Sequence, residues 1–115
     1  MRVFIICSVR GTTKQYRKSL ECYAMLLEEE GHSVHLPHRD TDQTQEGIDI
    51  CTQNMNAIKD ADEIHISYNP DSQGTHFDMG VSFALNKKIV IFEIIEHHKS
   101  SFRYMLVDWS NRKNG

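Results

Sequence analysis

The apolar residues of this 115-residue chain follow two spacings, one typical of buried strands and the other typical of helices. Residues 2–7 and 88–95 are nearly continuous apolar runs, as expected of parallel strands that are covered on both faces. Two shorter strands are predicted at residues 33–36 and 63–69, because a proline follows each run and cannot extend a ladder of backbone hydrogen bonds.

Helical spacing fills the intervals between these strands. Apolar residues recur three, four and seven positions apart in segments 13–31, 48–62 and 75–85, which predicts three amphipathic helices. Segment 102–109 fits either a fifth strand or a helix, and its spacing favours the helix. The polar segment 38–47 has no hydrophobic periodicity, so we expect a mobile loop at one edge of the ligand site.

Strands that alternate with helices predict one α/β domain over residues 1–109, followed by a frayed tail at 110–115. The expected architecture is a doubly wound, Rossmann-like or flavodoxin-like parallel sheet of four to five strands flanked by helices. Ligands of such sheets bind beyond the carboxyl ends of the strands, where the strand order reverses. We therefore expect the site at the loops that follow the first strand and the strand at 63–69.

Composition narrows the possible partners. A net charge of −3 without a basic stripe argues against a nucleic acid polymer as partner, and no apolar run is long enough to span a membrane. The N-terminus has no secretory signal, and three cysteines without metal-binding spacing predict reduced, buried thiols, so we expect a cytoplasmic protein. Seven scattered histidines include no HExxH arrangement, which predicts neither a metal nor a cofactor. His97 and His98 are expected at a loop surface.

The candidate chemistry is concentrated in residues 68–80, where a predicted strand leads through a polar turn into a helix. Backbone N–H groups at a helix start attract anions, Gly74 allows a close approach of ligand, and Asp78 is expected to be ionised in the first turn. The two loops and the second helix bring together a polar set: Ser8, Arg10, Gly11, Tyr16, Asn54, Ser72, Gly74 and Asp78. This set predicts a phosphorylated ligand and a carboxylate that attacks or stabilises an electron-deficient sugar carbon.

Each of these residues also has a purely structural interpretation. Asp78 suits the first turn of any helix, and Ser8 and Ser72 are common turn formers. Tyr16 fits the apolar stripe of the first helix, and Asn54 could simply make a hydrogen bond at a helix edge. Spacing alone leaves these alternatives open.

The order of four short segments resembles the nucleoside 2-deoxyribosyltransferase family, most closely its 2'-deoxynucleoside 5'-monophosphate N-glycosidase branch. The segments are residues 7–11 (Cys-Ser-Val-Arg-Gly), the helix of Asn54 leading into 61–64 (Ala-Asp-Glu-Ile), 72–80 (Ser-Gln-Gly-Thr-His-Phe-Asp-Met-Gly) and 84–89 (Ala-Leu-Asn-Lys-Lys-Ile). The resemblance spans roughly residues 1–95, and it depends on the order and spacing of the segments together.

The resemblance implies N-glycosidic bond cleavage or deoxyribosyl transfer on nucleosides or their 5'-monophosphates, by a homodimer whose sites a neighbouring subunit completes. It implies three catalytic residues, namely Asp78, Asn54 and Tyr16. It implies seven substrate-binding residues, namely Ser8, Val9, Arg10, Gly11, Ser72, Gly74 and Met79. Asp78 stands where the family has a glutamate, and Asn54 stands where it has an aspartate. The alternatives are a nucleotide-binding module that has lost the chemistry and an interaction domain without a ligand.

Overall fold

The computed structural model describes residues 1–95 and 101–114, so His97, His98 and Gly115 lie outside the described residues. Four strands are described, β1 (Arg2–Ile6), β2 (Ser33–His35), β3 (Glu63–Tyr68) and β4 (Lys88–Ile94). The helices within these ranges are α1 (Lys14–Glu29), α2 (Pro37–Asp40), α3 (Gly47–Asp60), α4 (Gln73–Ala84) and α5 (Ser101–Asn114). None of these helices has both the length and the apolar character needed to cross a bilayer.

Both faces of β1 are buried, which explains its uninterrupted apolar sequence. Side chains alternate along a strand, so Val3 and Ile5 lie on one face, in a cluster with residues of α1. Phe4 and Ile6 lie on the other face, in a cluster that includes residues of α3, α4 and α5. A buried strand between two helix layers is the doubly wound arrangement that the sequence predicts.

The sheet order is β2-β1-β3-β4, and every pair of neighbouring strands is parallel. The chain leaves β1 toward β2 on one side and then crosses to β3 on the other, so the order reverses between β1 and β3. The two strands are in register up to the pair formed by Ile6 and Ile66, which brings the loops after both strands to the same edge. This confirms the predicted α/β class.

Helix boundaries differ from the sequence expectations at three places. Residues 37–40 form a short helix that overlaps the start of the predicted loop at 38–47, and Pro37 supplies a backbone angle already suited to a first helical turn. Helix α4 begins two residues early, because the Ser72 hydroxyl accepts a hydrogen bond from the Thr75 N–H and caps it. Segment 102–109 is helical, and α5 continues to Asn114, so most of the expected frayed tail is helix.

A β-bulge interrupts the pairing of β3 with β4. Ile66 pairs with Ile91, whereas Ser67 pairs with Glu93, so Phe92 is an extra residue in β4. The Phe92 ring stacks on Tyr23 of α1 with ring centroids 3.9 Å apart, and Ser67 donates a hydrogen bond to Glu93. The bulge therefore brings both Phe92 and Glu93 to the face of the sheet that α1 covers.

The three cysteines are free thiols in different surroundings. Cys7 is buried and Cys51 is half-buried, but Cys22 is exposed on α1, which corrects the expectation that all three lie in the core. Burial, followed by the nearby charge of Asp78, raises the pKa of the Cys7 thiol to about 12. A thiol with so high a pKa is a poor nucleophile, because the thiolate is the reactive form.

Candidate functional site

A cavity of about 780 Å³ opens at the carboxyl ends of β1 and β3. Its walls come from the loop after β1, the first turns of α1 and α4, the middle of α3, and the loop between α2 and α3. This volume lies within the range of small-molecule sites, and its position is the one expected for a doubly wound sheet.

Nine of the ten predicted site residues line this cavity, namely Ser8, Val9, Arg10, Gly11, Tyr16, Asn54, Ser72, Gly74 and Asp78. Met79 does not. Its side chain is 2% exposed and packs in the core cluster beneath α4, so the structure does not bring it to the cavity with the other nine. Consecutive helical residues point about 100° apart, so Met79 points into the core while Asp78 lines the cavity.

The loop after β1 is tied to the loop after β3. The Asn69 amide donates a hydrogen bond to the Ser8 hydroxyl at 3.1 Å, and the Asn69 side-chain oxygen accepts one from the Asp71 backbone N–H at 2.9 Å. Gly11 has a φ of 68°, a conformation that glycine adopts without the steric cost of a side chain. These contacts fix the backbone of both loops at the cavity edge. Arg10 is exposed, and it has the only basic side chain among the described lining residues.

Asp78 is the sixth residue of α4, about half a turn deeper than the sequence suggested. It is 5% exposed, and no side chain or backbone group of the described residues forms a hydrogen bond with its carboxyl oxygens. Burial raises the pKa of the Asp78 carboxyl from 3.8 to about 7. This pKa lies above the range expected for an ionised carboxylate at a helix start, because loss of solvent at this depth opposes the helix dipole.

Tyr16 belongs to a set of three residues that we call the tyrosine network: Tyr16, Ser67 and Glu93. The Tyr16 and Ser67 hydroxyl oxygens are 2.8 Å apart, and Ser67 donates its own proton to a Glu93 carboxyl oxygen. Because Ser67 has one proton, Tyr16 must be the donor to Ser67. Burial raises the pKa of the Tyr16 hydroxyl to about 12, so the hydroxyl keeps its proton and, with that proton given to Ser67, can act toward other groups only as an acceptor.

Asn54 belongs to a second set, the asparagine network: His35, Thr41 and Asn54. Asn54 is 8% exposed, and its side-chain oxygen accepts a hydrogen bond from the Thr41 hydroxyl at 2.7 Å. The Thr41 hydroxyl oxygen lies 2.7 Å from Nε2 of His35. Burial lowers the pKa of His35, which keeps its imidazole neutral near pH 7.

Sequence reasoning missed several residues of the site. Cys7, Asn69, Asp71, Gln43 and Phe77 also line the cavity. Asn69 and Asp71 follow directly after β3, so their position in the predicted loop was a usable signal. Cys7 ends the first apolar run and offered no such signal. His76 does not line the cavity, and its imidazole contacts the Tyr68 hydroxyl and the Ser72 carbonyl oxygen.

The family model for nucleoside 2-deoxyribosyltransferase matches residues 6–106 of this sequence, which is most of the chain. The chain belongs to the nucleoside 2-deoxyribosyltransferase family. The match includes the loop after β1, the Asn54 helix and the Asp78 helix. In this member of the family, all three line one cavity.

The solved structures that resemble this family member include the following two. The CMP N-glycosidase BcmB of Clostridium botulinum is 28% identical with a TM-score of 0.68, and the match covers 96% of this chain and 84% of that one. A 2-deoxyribosyltransferase of Bacillus psychrosaccharolyticus is 18% identical with a TM-score of 0.71, over 100% of this chain and 92% of that one. The second likeness shows the shared fold. No curated protein gives a significant sequence match.

Proposed function

We propose that this protein cleaves the N-glycosidic bond of nucleosides or nucleoside 5'-monophosphates, or transfers the deoxyribosyl group to another base, with Asp78 as nucleophile. The observation that most supports this proposal is that the Asp78 carboxyl is buried, lines the cavity and makes no hydrogen bond within the described residues. Family membership and the similarity to a CMP N-glycosidase support this reaction class.

The reaction would proceed by two displacements at the anomeric carbon. The ionised Asp78 carboxylate attacks C1' of the sugar, the C1'–N bond breaks, and the base leaves with the bonding electrons and takes up a proton. The resulting glycosyl ester is then attacked at C1' by water, which releases the sugar, or by a second base, which completes transfer. Asp78 leaves as a carboxylate and is ready for another turnover.

The substrate-binding role would fall to the loop after β1 and the start of α4. The residues are Ser8, Val9, Arg10, Gly11, Ser72 and Gly74. Arg10 offers a guanidinium that can bind a phosphate with two hydrogen bonds, and the free N–H groups in the first turn of α4 favour an anion. This arrangement supports a nucleotide-binding site for a 5'-monophosphate rather than for an uncharged ligand alone.

The test is release of free base, measured by chromatography, from CMP, the other common nucleoside monophosphates and the deoxynucleosides. We expect Asp78→Asn to lower the rate by at least about a thousandfold, since the amide keeps the shape but removes the nucleophile. Asp49→Asn, an exposed carboxylate on α3, is the matched control and should leave the rate unchanged. Base release that persists in Asp78→Asn would refute the nucleophile.

A second candidate is a nucleotide-binding module without catalysis. It is favoured by one observation: the raised pKa of Asp78, about 7, leaves much of the carboxyl protonated at neutral pH. A side chain one methylene shorter than the family's glutamate also moves the attacking oxygen by about an ångström, which can cost about a hundredfold in rate. Thermal stabilisation by CMP without base release would favour this candidate over the enzyme.

We further propose that the protein acts as a cytoplasmic homodimer. Three free thiols are typical of a reducing compartment. Exposed apolar side chains lie on α3 and α4 beside the cavity: Ile48 is 77% exposed, Phe77 48% and Met55 41%. Such a patch suits a second copy of the chain. Light scattering should show a dimer that Ile48→Glu disrupts and that Leu26→Glu, an equally apolar exposed position on α1, leaves intact.

A further inference from the structure

The asparagine network fixes which end of the Asn54 amide is available to a ligand. The Asn54 side-chain oxygen is occupied, because it accepts the Thr41 hydroxyl proton at 2.7 Å. The amide nitrogen Nδ2 has no hydrogen-bond partner among the described residues, although the residue is 8% exposed and lines the cavity. The nitrogen is not among the fully enclosed polar atoms that lack a partner, so it is accessible to solvent and can donate to an acceptor of a ligand.

His35 sets the direction of these hydrogen bonds. Thr41 has a single hydroxyl proton and gives it to Asn54, so the contact between Nε2 of His35 and the Thr41 oxygen requires a proton on Nε2. The imidazole is held in place by the Phe4 ring, which stacks on it with centroids 5.2 Å apart. The opposite tautomer would accept the Thr41 proton and turn the Asn54 oxygen toward the cavity.

We propose that Asn54 donates a hydrogen bond from Nδ2 to an acceptor atom of the ligand, and that His35 and Thr41 are positioning residues that hold the amide in this orientation. An aspartate at this position would instead accept a hydrogen bond, most readily from a sugar hydroxyl. This chain therefore selects a ligand group that can only accept: a base carbonyl or ring nitrogen, the sugar ring oxygen, or a phosphate oxygen. The ligand class rests on the proposed function, whereas the orientation of the amide does not.

The orientation is tested without any ligand. Long-range ¹H–¹⁵N NMR of the full chain at pH 7 reports which imidazole nitrogen of His35 carries the proton, with assignment by His35→Gln. We expect the Nε2–H tautomer in the wild type and a mixture in Thr41→Val, which has the same shape without the hydroxyl. A wild-type Nδ1–H tautomer would overturn the proposal, because Thr41 would then donate to His35.

The ligand group is tested by isothermal titration with CMP and cytidine. In Asn54→Asp the donor becomes a carboxylate of the same size, so we expect the Kd for an acceptor group to rise at least about tenfold. A loss with both ligands places the acceptor in the base or sugar, and a loss with CMP alone places it in the phosphate. Binding by Asn54→Asp that equals or exceeds wild type would overturn the proposal in favour of a ligand hydroxyl that donates.

The two experiments separate this inference from the proposed function. A wild-type protein that binds CMP without releasing base refutes the proposed reaction, yet the Kd comparison still decides the polarity of Asn54. A wild-type protein that binds neither CMP nor cytidine overturns the ligand half of the inference. The His35 tautomer then decides the orientation of the amide by itself.

Discussion

The tyrosine network and the asparagine network end at the same cavity, but the first offers a hydrogen-bond acceptor and the second a donor. In the first, Ser67 donates its proton to Glu93 and accepts that of Tyr16, so the hydroxyl oxygen of this cavity-lining tyrosine is left as an acceptor. In the second, Thr41 donates its proton to the Asn54 side-chain oxygen, so the amide nitrogen of this cavity-lining asparagine is left as a donor. The residue at the far end of each network decides the polarity of the residue that a ligand would meet.

The difference teaches that a hydroxyl between two polar groups can set a direction without touching a ligand. Ser67 and Thr41 have the same function in the two networks, since each has one proton to give and gives it to an acceptor-only oxygen. Neither network reaches the carboxyl of Asp78. Burial raises the pKa of that carboxyl, and no hydrogen-bond donor among the described residues offsets the effect.

The largest expected effect tests whether the Asp78 carboxyl lacks a hydrogen-bond donor and therefore keeps its raised pKa. Only the ionised carboxylate attacks C1'. The pH dependence of kcat/KM reports the pKa values of groups in the free protein, where the pKa of Asp78 is about 7. We expect kcat/KM for base release to rise about tenfold per pH unit from pH 5 and to level off above pH 7.

The pH profile is measured with a substrate that does not titrate between pH 5 and 8, such as a deoxynucleoside. Asp49→Asn serves as the control and should follow the wild-type profile. A profile that is flat down to pH 5 would mean that a donor stabilises the Asp78 carboxylate. Tyr16 would then be the first candidate, and the direction assigned to the tyrosine network would be reversed.

A smaller effect separates the two networks from each other. Ser67→Ala removes the acceptor of the Tyr16 proton, and the freed hydroxyl can then donate to a carboxylate on the same cavity. We expect the midpoint of the pH profile to fall by about half to one unit and kcat to fall by about tenfold, because a stabilised carboxylate is a weaker nucleophile.

Thr41→Val is the matched variant on the other network. It should raise KM by about threefold and leave the pH midpoint in place, because that network ends at Asn54 and bears on ligand binding. Equal shifts of the midpoint in both variants would show that the two networks are not independent.

The fold was largely predictable because its strongest signals are local. The continuous apolar run of β1 requires helices on both faces, and the regular spacing in α1 and α3 needs no knowledge of their neighbours. The boundaries were less predictable. A short helix after Pro37 has too few residues to show a period, and α5 extends through polar residues whose composition resembles a tail.

The site was predictable as a set of positions but not in its electrostatics. The order of the loops after parallel strands places Ser8, Asn54 and Asp78 at one edge, whereas the depth of Asp78 depends on tertiary packing that no local pattern records. The same holds for the polarity of Tyr16 and Asn54. Each depends on residues distant in sequence, as with Tyr16 and Ser67, which are 51 positions apart.

The bulge in β4 changes which side chains of that strand point to each face of the sheet. Before the extra residue Phe92, inward and outward positions alternate as in an ideal strand, and after it the alternation is displaced by one position. Deletion of Phe92 would restore the regular alternation of side chains but would also remove the ring that stacks on Tyr23. A strand transplanted from a relative without the bulge would therefore have to place its carboxylate one position earlier to reach Ser67.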